Sequence, residues 1–277
     1  MNPIYPCLWF DGHAKIAAEF YCKVFDNSKI RVDTPMVVNF ELTGKKFMGL
    51  NGGPNFKFNP SISFFVNCVS IAQTNETWNQ LIQGGKALMP IGKYPWSECY
   101  GWVQDQFGLT WQLSYNPAIT HQNIIPSLLF TSQHYGEAEE AIHLYTSLFD
   151  NSSTEFLSHH PNGTEHEGKL LFSRFNLNHY EMIAMDGPGV HDYTFNEAIS
   201  FVVDCETQEE IDFYWNHLTK DGGQESRCGW LKDKFGVSWQ IIPLILGQLM
   251  SDPAKAPRVM EAFLKMKKFD IDQLMKA

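Results

Sequence analysis

The chain lacks a basic excess: 21 lysines and arginines stand against 31 aspartates and glutamates, a net charge of −10. So acidic a protein has no broad positive field for nucleic acid or anionic lipid. No apolar run reaches membrane-spanning length, and the opening "MNPIYPCLWFDG" has neither the charged region nor the apolar region of a secretory signal. A soluble, cytoplasmic protein with no nucleic-acid and no membrane partner is expected. The six cysteines (Cys7, Cys22, Cys68, Cys99, Cys205, Cys228) form no CxxC pair and no cluster, so they read as reduced, mostly buried thiols. Cys99 and Cys228 precede a Gly-Trp pair and could be pocket thiols. Glycine-rich strand-to-helix turns, P-loops, HExxH and GxSxG are missing as well, and no cofactor is expected.

What is present is repetition. "GWVQDQFGLTWQL" (101–113) returns as "GWLKDKFGVSWQI" (229–241), with seven of thirteen positions identical. "ISFFVNC" (62–68) returns as "ISFVVDC" (199–205), and the stretch 4–30 is echoed by 124–154. The order is the same in both halves. The polar, proline-bearing stretch 116–123 separates them. This divides the chain into units 1–120 and 121–250, followed by a tail at 251–277.

Each half reads as strand, helix, strands, twice over. Ile4–Phe10 is a short apolar strand whose Pro6 suits an edge or early position. Ile16, Ala17, Phe20, Tyr21 and Val24 have helical spacing, and a second helix covers "IAQTNETWNQLIQGG". The repeated segment is a hairpin turning at DxFG. There Asp105 or Asp233 can accept bonds from the backbone two residues on, and Gly108 or Gly236 can take positive φ. Helices and strands separate in a way that predicts an α+β fold rather than a doubly wound parallel sheet. The tail reads as helical, with Asp270 and Gln273 opening its last helix.

Alternation along "LTWQLSY" puts Leu109, Trp111 and Leu113 on one face, and Thr110, Gln112 and Ser114 on the other. Gln240 recurs in the second half with Ser238. Ser63 and Ser200 hold the matching small polar positions of "ISFFVNC" and "ISFVVDC". This second face either meets water or lines a concave pocket. Phe58-Asn59 and Phe195-Asn196 recur just before the second module, as do Trp102 and Trp230. The candidate ligand-binding residues are therefore Leu8, Phe10, Phe58, Asn59, Ser61, Ser63, Trp102, Thr110, Gln112, Ser200 and Gln240. Copy one has fifteen residues between its double glycine and Gly-Trp where copy two has five, with Tyr94, Trp96 and Tyr100 among them. The fuller pocket is expected in the first half. The histidines of "SHHPNGTEHEG" read as a solvated loop.

"LWFDGHAKIAAEFYCKVFDNS", "GGPNFKFNPSISFFVNC" and "YGWVQDQFGLTWQL" resemble the PhnB-like branch of the vicinal oxygen chelate superfamily, the glyoxalase/bleomycin-resistance fold. "GGQESRCGWLKDKFGVSWQIIP" and the tail are similar to the second half of tandem members. The resemblance implies tandem glyoxalase-like domains, each of two paired βαβββ modules around a cleft, an intramolecular pseudo-dimer with homodimerisation open. It implies a small-molecule ligand. Relatives that are enzymes hold a divalent metal. Matched position by position, the closing-strand ligand falls on Gln112 and Gln240, the first-strand ligand on Pro6 and Pro126, and the ligand opening the second module on Ser61 and Ala198. A neutral amide beside Ser or Ala does not supply the charged donors such a metal needs, so no metal ligand is assigned. Binding of a small aromatic or amphipathic molecule in the first-half cleft is the expected function. A metal-dependent lyase, isomerase or dioxygenase is the alternative. The demethylubiquinone methyltransferase label common in this branch is disfavoured, because no turn is built for a methyl donor.

Overall fold

A computed structural model describes residues 4–277. Module one comprises β1 (Ile4–Phe10), α1 (Ala14–Val24), β2 (Lys29–Asp33), β3 (Val37–Leu42) and β4 (Lys45–Asn51). Module two comprises β5 (Ile62–Cys68), α2 (Ile71–Leu81), β6 (Lys86–Tyr94), β7 (Ser97–Gln104) and β8 (Thr110–Tyr115). Module three follows with β9 (Asn123–Phe130), α3 (Ala138–Leu148), β10 (Ser153–His159), β11 (Leu170–Leu177) and β12 (Tyr180–Asp186). Module four has β13 (Ile199–Cys205), α4 (Gln208–Leu218), β14 (Gln224–Glu225), β15 (Trp230–Lys232) and β16 (Ser238–Pro243). The tail forms α5 (Ile245–Ser251), α6 (Ala256–Phe263) and α7 (Ile271–Lys276). The α+β class and the glyoxalase-like plan of four modules are both present. No helix among the described residues is long and apolar enough to cross a membrane.

The modules do not close their clefts within one half. Module one joins module four in a first eight-stranded sheet, β14-β15-β16-β13-β1-β4-β3-β2. Module two joins module three in a second, β10-β11-β12-β9-β5-β8-β7-β6. The seams are the antiparallel pairs β1–β13 and β5–β9, which no local pattern could have revealed. Strand β1 is consequently central, so Pro6 is not on an edge. Its parallel pairing to β4 starts only at Cys7, and Pro126 likewise precedes the first residue of β9 paired to β12. The missing N–H falls just outside each parallel ladder.

The helices pack against the convex faces of the sheets, and one continuous core fills the space there. Trp111 lies 5.2 Å from Tyr21 and 4.8 Å from Phe25, so a strand of module two is pinned to the helix of module one. Trp239 repeats this with Tyr145 and Phe149. Asp105 locks the arrangement. Its carboxylate accepts from the backbone of Phe107 and Leu109, from Trp111 Nε1 at 2.9 Å and from the Tyr21 hydroxyl at 2.9 Å. Asp233 does the same with Phe235, Val237, Trp239 and Tyr145. Gly108 (φ 90°) and Gly236 (φ 83°) make the turn possible. Burial pushes each aspartate up to about 6, against the pull of its four donors.

The tail completes what module four lacks. In the second sheet, the nine-residue β6 lies beside β7. In the first, β14 has two residues, and the carbonyls of Met266 and Lys267 accept from the backbone of Cys228 and Gly229 instead.

Candidate functional site

The concave face of the second sheet carries a cavity of about 540 Å³. This is a size typical of small-molecule sites, roughly 300–1,000 Å³. Its floor is Phe65 of β5, Gln112 and Ser114 of β8, and Met185 of β12. One wall is the β6–β7 hairpin with Met89, Trp96, Tyr100 and Trp102. The other wall comes from the opposite half of the chain: Phe156 and Ser158 of β10, Leu171 and Phe172 of β11.

Gln112 is 6% exposed and its amide is committed. The Tyr100 hydroxyl donates to its Oε1 at 2.7 Å, and its Nε2 donates to Ser63 Oγ at 2.7 Å and more weakly to Ser127 Oγ at 3.5 Å. The Ser114 hydroxyl donates to Ser97 Oγ at 3.2 Å. The floor therefore satisfies its own polar groups. Burial raises the Tyr100 hydroxyl well above its usual range, so it stays neutral.

Of the expected site residues, the structure brings Trp102 and Gln112 to the cavity and puts Ser63 beneath Gln112. Thr110 shares their face but is fully buried, with its hydroxyl directed to the Ile62 carbonyl. Ser200 and Gln240 meet each other at 2.9 Å in the first sheet instead. Leu8 and Phe10 are corrections: alternation turns them to the convex face, where both are buried in the core. Phe58 packs edge-on to Phe10 at 5.2 Å, away from the cavity. Asn59 and Ser61 belong to the junction between modules. The Asn59 amide donates to the Thr194 carbonyl and the Asn196 amide to that of Lys57, a reciprocal tie between the halves.

The pseudo-equivalent face of the first sheet is filled. Tyr5, Cys7 and Val202 are buried there under Met48, Leu50 and Ile242. Trp9 donates to the Gly53 carbonyl and packs on Phe56 and Trp230, leaving a smaller hollow of about 340 Å³. Burial pushes the Cys7 thiol up to about 12, so it is no nucleophile. Nor is Cys99 a pocket thiol of the open cavity, whose lining does not include it.

A divalent metal does not fit either floor. Pro6 and Pro126 pair across the seams with Phe201 and Phe64, both fully buried in the core, so neither offers a ligand position. Ser61 and Ala198 are junction residues. What surrounds Gln112 is two serine hydroxyls, and what surrounds Gln240 is Ser200 and the Cys7 thiol. No group of three His, Cys, Asp or Glu among the described residues could hold a metal ion. A neutral amide already engaged at both ends cannot replace a carboxylate ligand.

Sequence reasoning missed the second wall entirely. Phe156, Leu171 and Phe172 lie 44 to 60 residues beyond Gln112 in sequence and meet it only because β5 pairs with β9. Tyr94, Trp96 and Tyr100 were visible as an aromatic cluster peculiar to copy one.

A family model described as 3-demethylubiquinone-9 3-methyltransferase matches residues 2–114 and again 122–242. A PhnB protein from Bacillus cereus is 33% identical over 40% of this chain and 96% of its own, with a TM-score of 0.38. Glyoxalase I from Zea mays shares the fold, with a TM-score of 0.60 over 91% of this chain and 97% of its own at 10% identity. No curated protein matches. With both halves matched in turn, the chain belongs to the family of that description, as a tandem member with one copy in each half.

Proposed function

We propose that the protein binds a small, largely apolar organic molecule, aromatic or amphipathic, in the cavity of the second sheet, without a conventional metal centre. The observation that carries this is the cavity's composition: aromatic and methionine walls over a floor whose polar groups are already paired. Such a site gains most of its affinity from apolar burial, at roughly 25 cal/mol per Å², with the buried, partnerless Trp102 Nε1–H left to meet a ligand acceptor. The family description names a methyl transfer to a quinone precursor. An aromatic-walled cavity accommodates a ring of that kind, so such rings belong among the ligands to test. The transfer step does not carry over, since no strand-to-helix turn among the described residues is glycine-rich enough to seat a nucleotide-type donor.

Titration with the uncharged probe N-phenyl-1-naphthylamine tests the reading. One saturable site per chain is expected, and filling the cavity with Met185→Trp should abolish it. Binding that survives this substitution would overturn the assignment. So would a stoichiometric divalent metal whose removal abolishes probe binding.

A further inference from the structure

The cavity wall contains no Asp, Glu, Lys, Arg or His. The polar groups of its floor and of Tyr100 are turned to one another, with Tyr100 on Gln112, Gln112 on Ser63, and Ser114 on Ser97. An anionic group entering this space would lose its water and find no cation; the donors left to it, the partnerless Trp102 Nε1–H and the Ser158 hydroxyl, are neutral and do not balance its charge. The cation nearest in register is Arg174, opposite Phe156 across β10–β11; it is exposed, in water that screens it.

The lips are the second observation. Trp96 is 62% exposed on one side, and Phe156 and Leu171 are each 47% exposed on the other. Large apolar groups facing each other across an opening are costly to leave in water. Trp96 rests on Tyr94 at 5.1 Å and Tyr100 at 5.7 Å. The strand leading to it is irregular, its pairing breaking register between Ala87 and Met89, Met89 and Gly92, and Gly92 and Tyr94. A Cβ on Gly92 would meet nothing within 4 Å, so this stretch is loosely packed. A flat ring placed between Trp96 and Phe156 would cover both faces at once.

Resting on the binding reading above, we infer that the cavity selects uncharged planar aromatic molecules against organic anions of the same shape, with Trp96 as the specificity-determining clamp. Module four has only the short β14–β15 pair in place of this hairpin, which confines this recognition to the second sheet.

Two probes share one ring system. N-phenyl-1-naphthylamine is uncharged, and 8-anilino-1-naphthalenesulfonate adds a sulfonate. Fluorescence titration of the full-length protein at fixed ionic strength is expected to show the uncharged probe binding at least tenfold more tightly. Ser158→Arg, which brings a cation into the wall, should shift the ratio at least tenfold toward the sulfonate; a preference that merely followed hydrophobicity would not shift. Trp96→Ala should weaken the uncharged probe about fivefold and leave the thermal midpoint unchanged, because the side chain is exposed. Equal affinities in the unaltered protein, an unmoved ratio in Ser158→Arg, or sulfonate binding that is lost in Arg174→Ala would each overturn the inference. If Met185→Trp displaces neither probe, the binding reading itself fails; if it displaces both and the affinities match, only the charge selection does.

Discussion

At the scale of single residues, the strongest consequences belong to Asp105 and Asp233. Each carboxylate accepts four hydrogen bonds while fully or almost fully buried. In Asp105→Asn, the amide oxygen can keep the two backbone donors, and the Tyr21 hydroxyl can rotate to accept from the new NH2. Trp111 Nε1–H cannot, and is left facing a donor. Leaving such a group unpaired costs about 1–3 kcal/mol, and urea unfolding should show a loss of that order. The pH dependence has a definite sign. The folded pKa is raised to about 6 from an ordinary value of 3.8. Below pH 4 both states hold the proton. Between pH 4 and 6 the unfolded chain has released it and the folded one has not, so stability falls as pH rises through that window, then levels off. Urea midpoints measured from pH 4 to 8 should show this fall, with a shallower slope in Asp105→Asn. The turn role of these aspartates followed from DxFG alone. Their phenol partners did not, because Tyr21 lies 84 positions from Asp105 in sequence. For Gln112 the same limit applied: alternation gave its face, while Ser127, from the other half, was out of reach.

Among the elements, the repeat explains which glycines are indispensable. A Cβ on Gly101 would come within 2.6 Å of the Trp78 ring, and one on Gly229 within 2.5 Å of Phe269. The two aromatic residues do the same task from different origins: Trp78 comes from α2 of the module itself, Phe269 from the tail. The tail is therefore part of the first sheet's edge. Phe269→Ala should cost about 3–5 kcal/mol, as large-to-small changes at buried aromatics do, measured by chemical denaturation. Gly101→Ala should cost about 1–3 kcal/mol by overpacking against Trp78. Helices α1 and α2 and strands β1, β5 and β8 were legible, because strong apolar periodicity coincides with clear breakers at Asp26-Asn27-Ser28 and Gly84-Gly85. Strand β2 was not, since "KIRVD" is an exposed edge with no buried face to impose alternation. Nor was β6, where Pro90 and Gly92 interrupt the pattern.

For the molecule as a whole, the exchange of modules decides what a half can do alone. Residues 1–120 contain β1 to β8, which is one half of each sheet and no complete sheet. Cutting the chain there strips β1 of β13 and β5 of β9, turning two central strands into bare edges. The aromatic anchors inside this half, such as Trp111 on Tyr21, would survive, so collapse is not in question. What is lost is the partner for two long rows of backbone donors and acceptors and the second wall of the cavity. We therefore expect residues 1–120 expressed alone to pair with a second copy, rebuilding both seams, or to aggregate. Co-expressed with residues 121–277, they should form a one-to-one complex that regains probe binding. Size-exclusion chromatography with light scattering separates these outcomes, and a folded, cooperatively melting monomer of 1–120 would contradict the exchange. Such a monomer could not carry the cavity in any case, since Phe156, Leu171 and Phe172 lie beyond the cut. Duplication within one chain is then what lets the two clefts differ. A symmetric pair of identical halves must open or close both. Here the nine-residue β6 helps wall the larger cavity of the second sheet, while in the first sheet Trp9 borders only the smaller hollow.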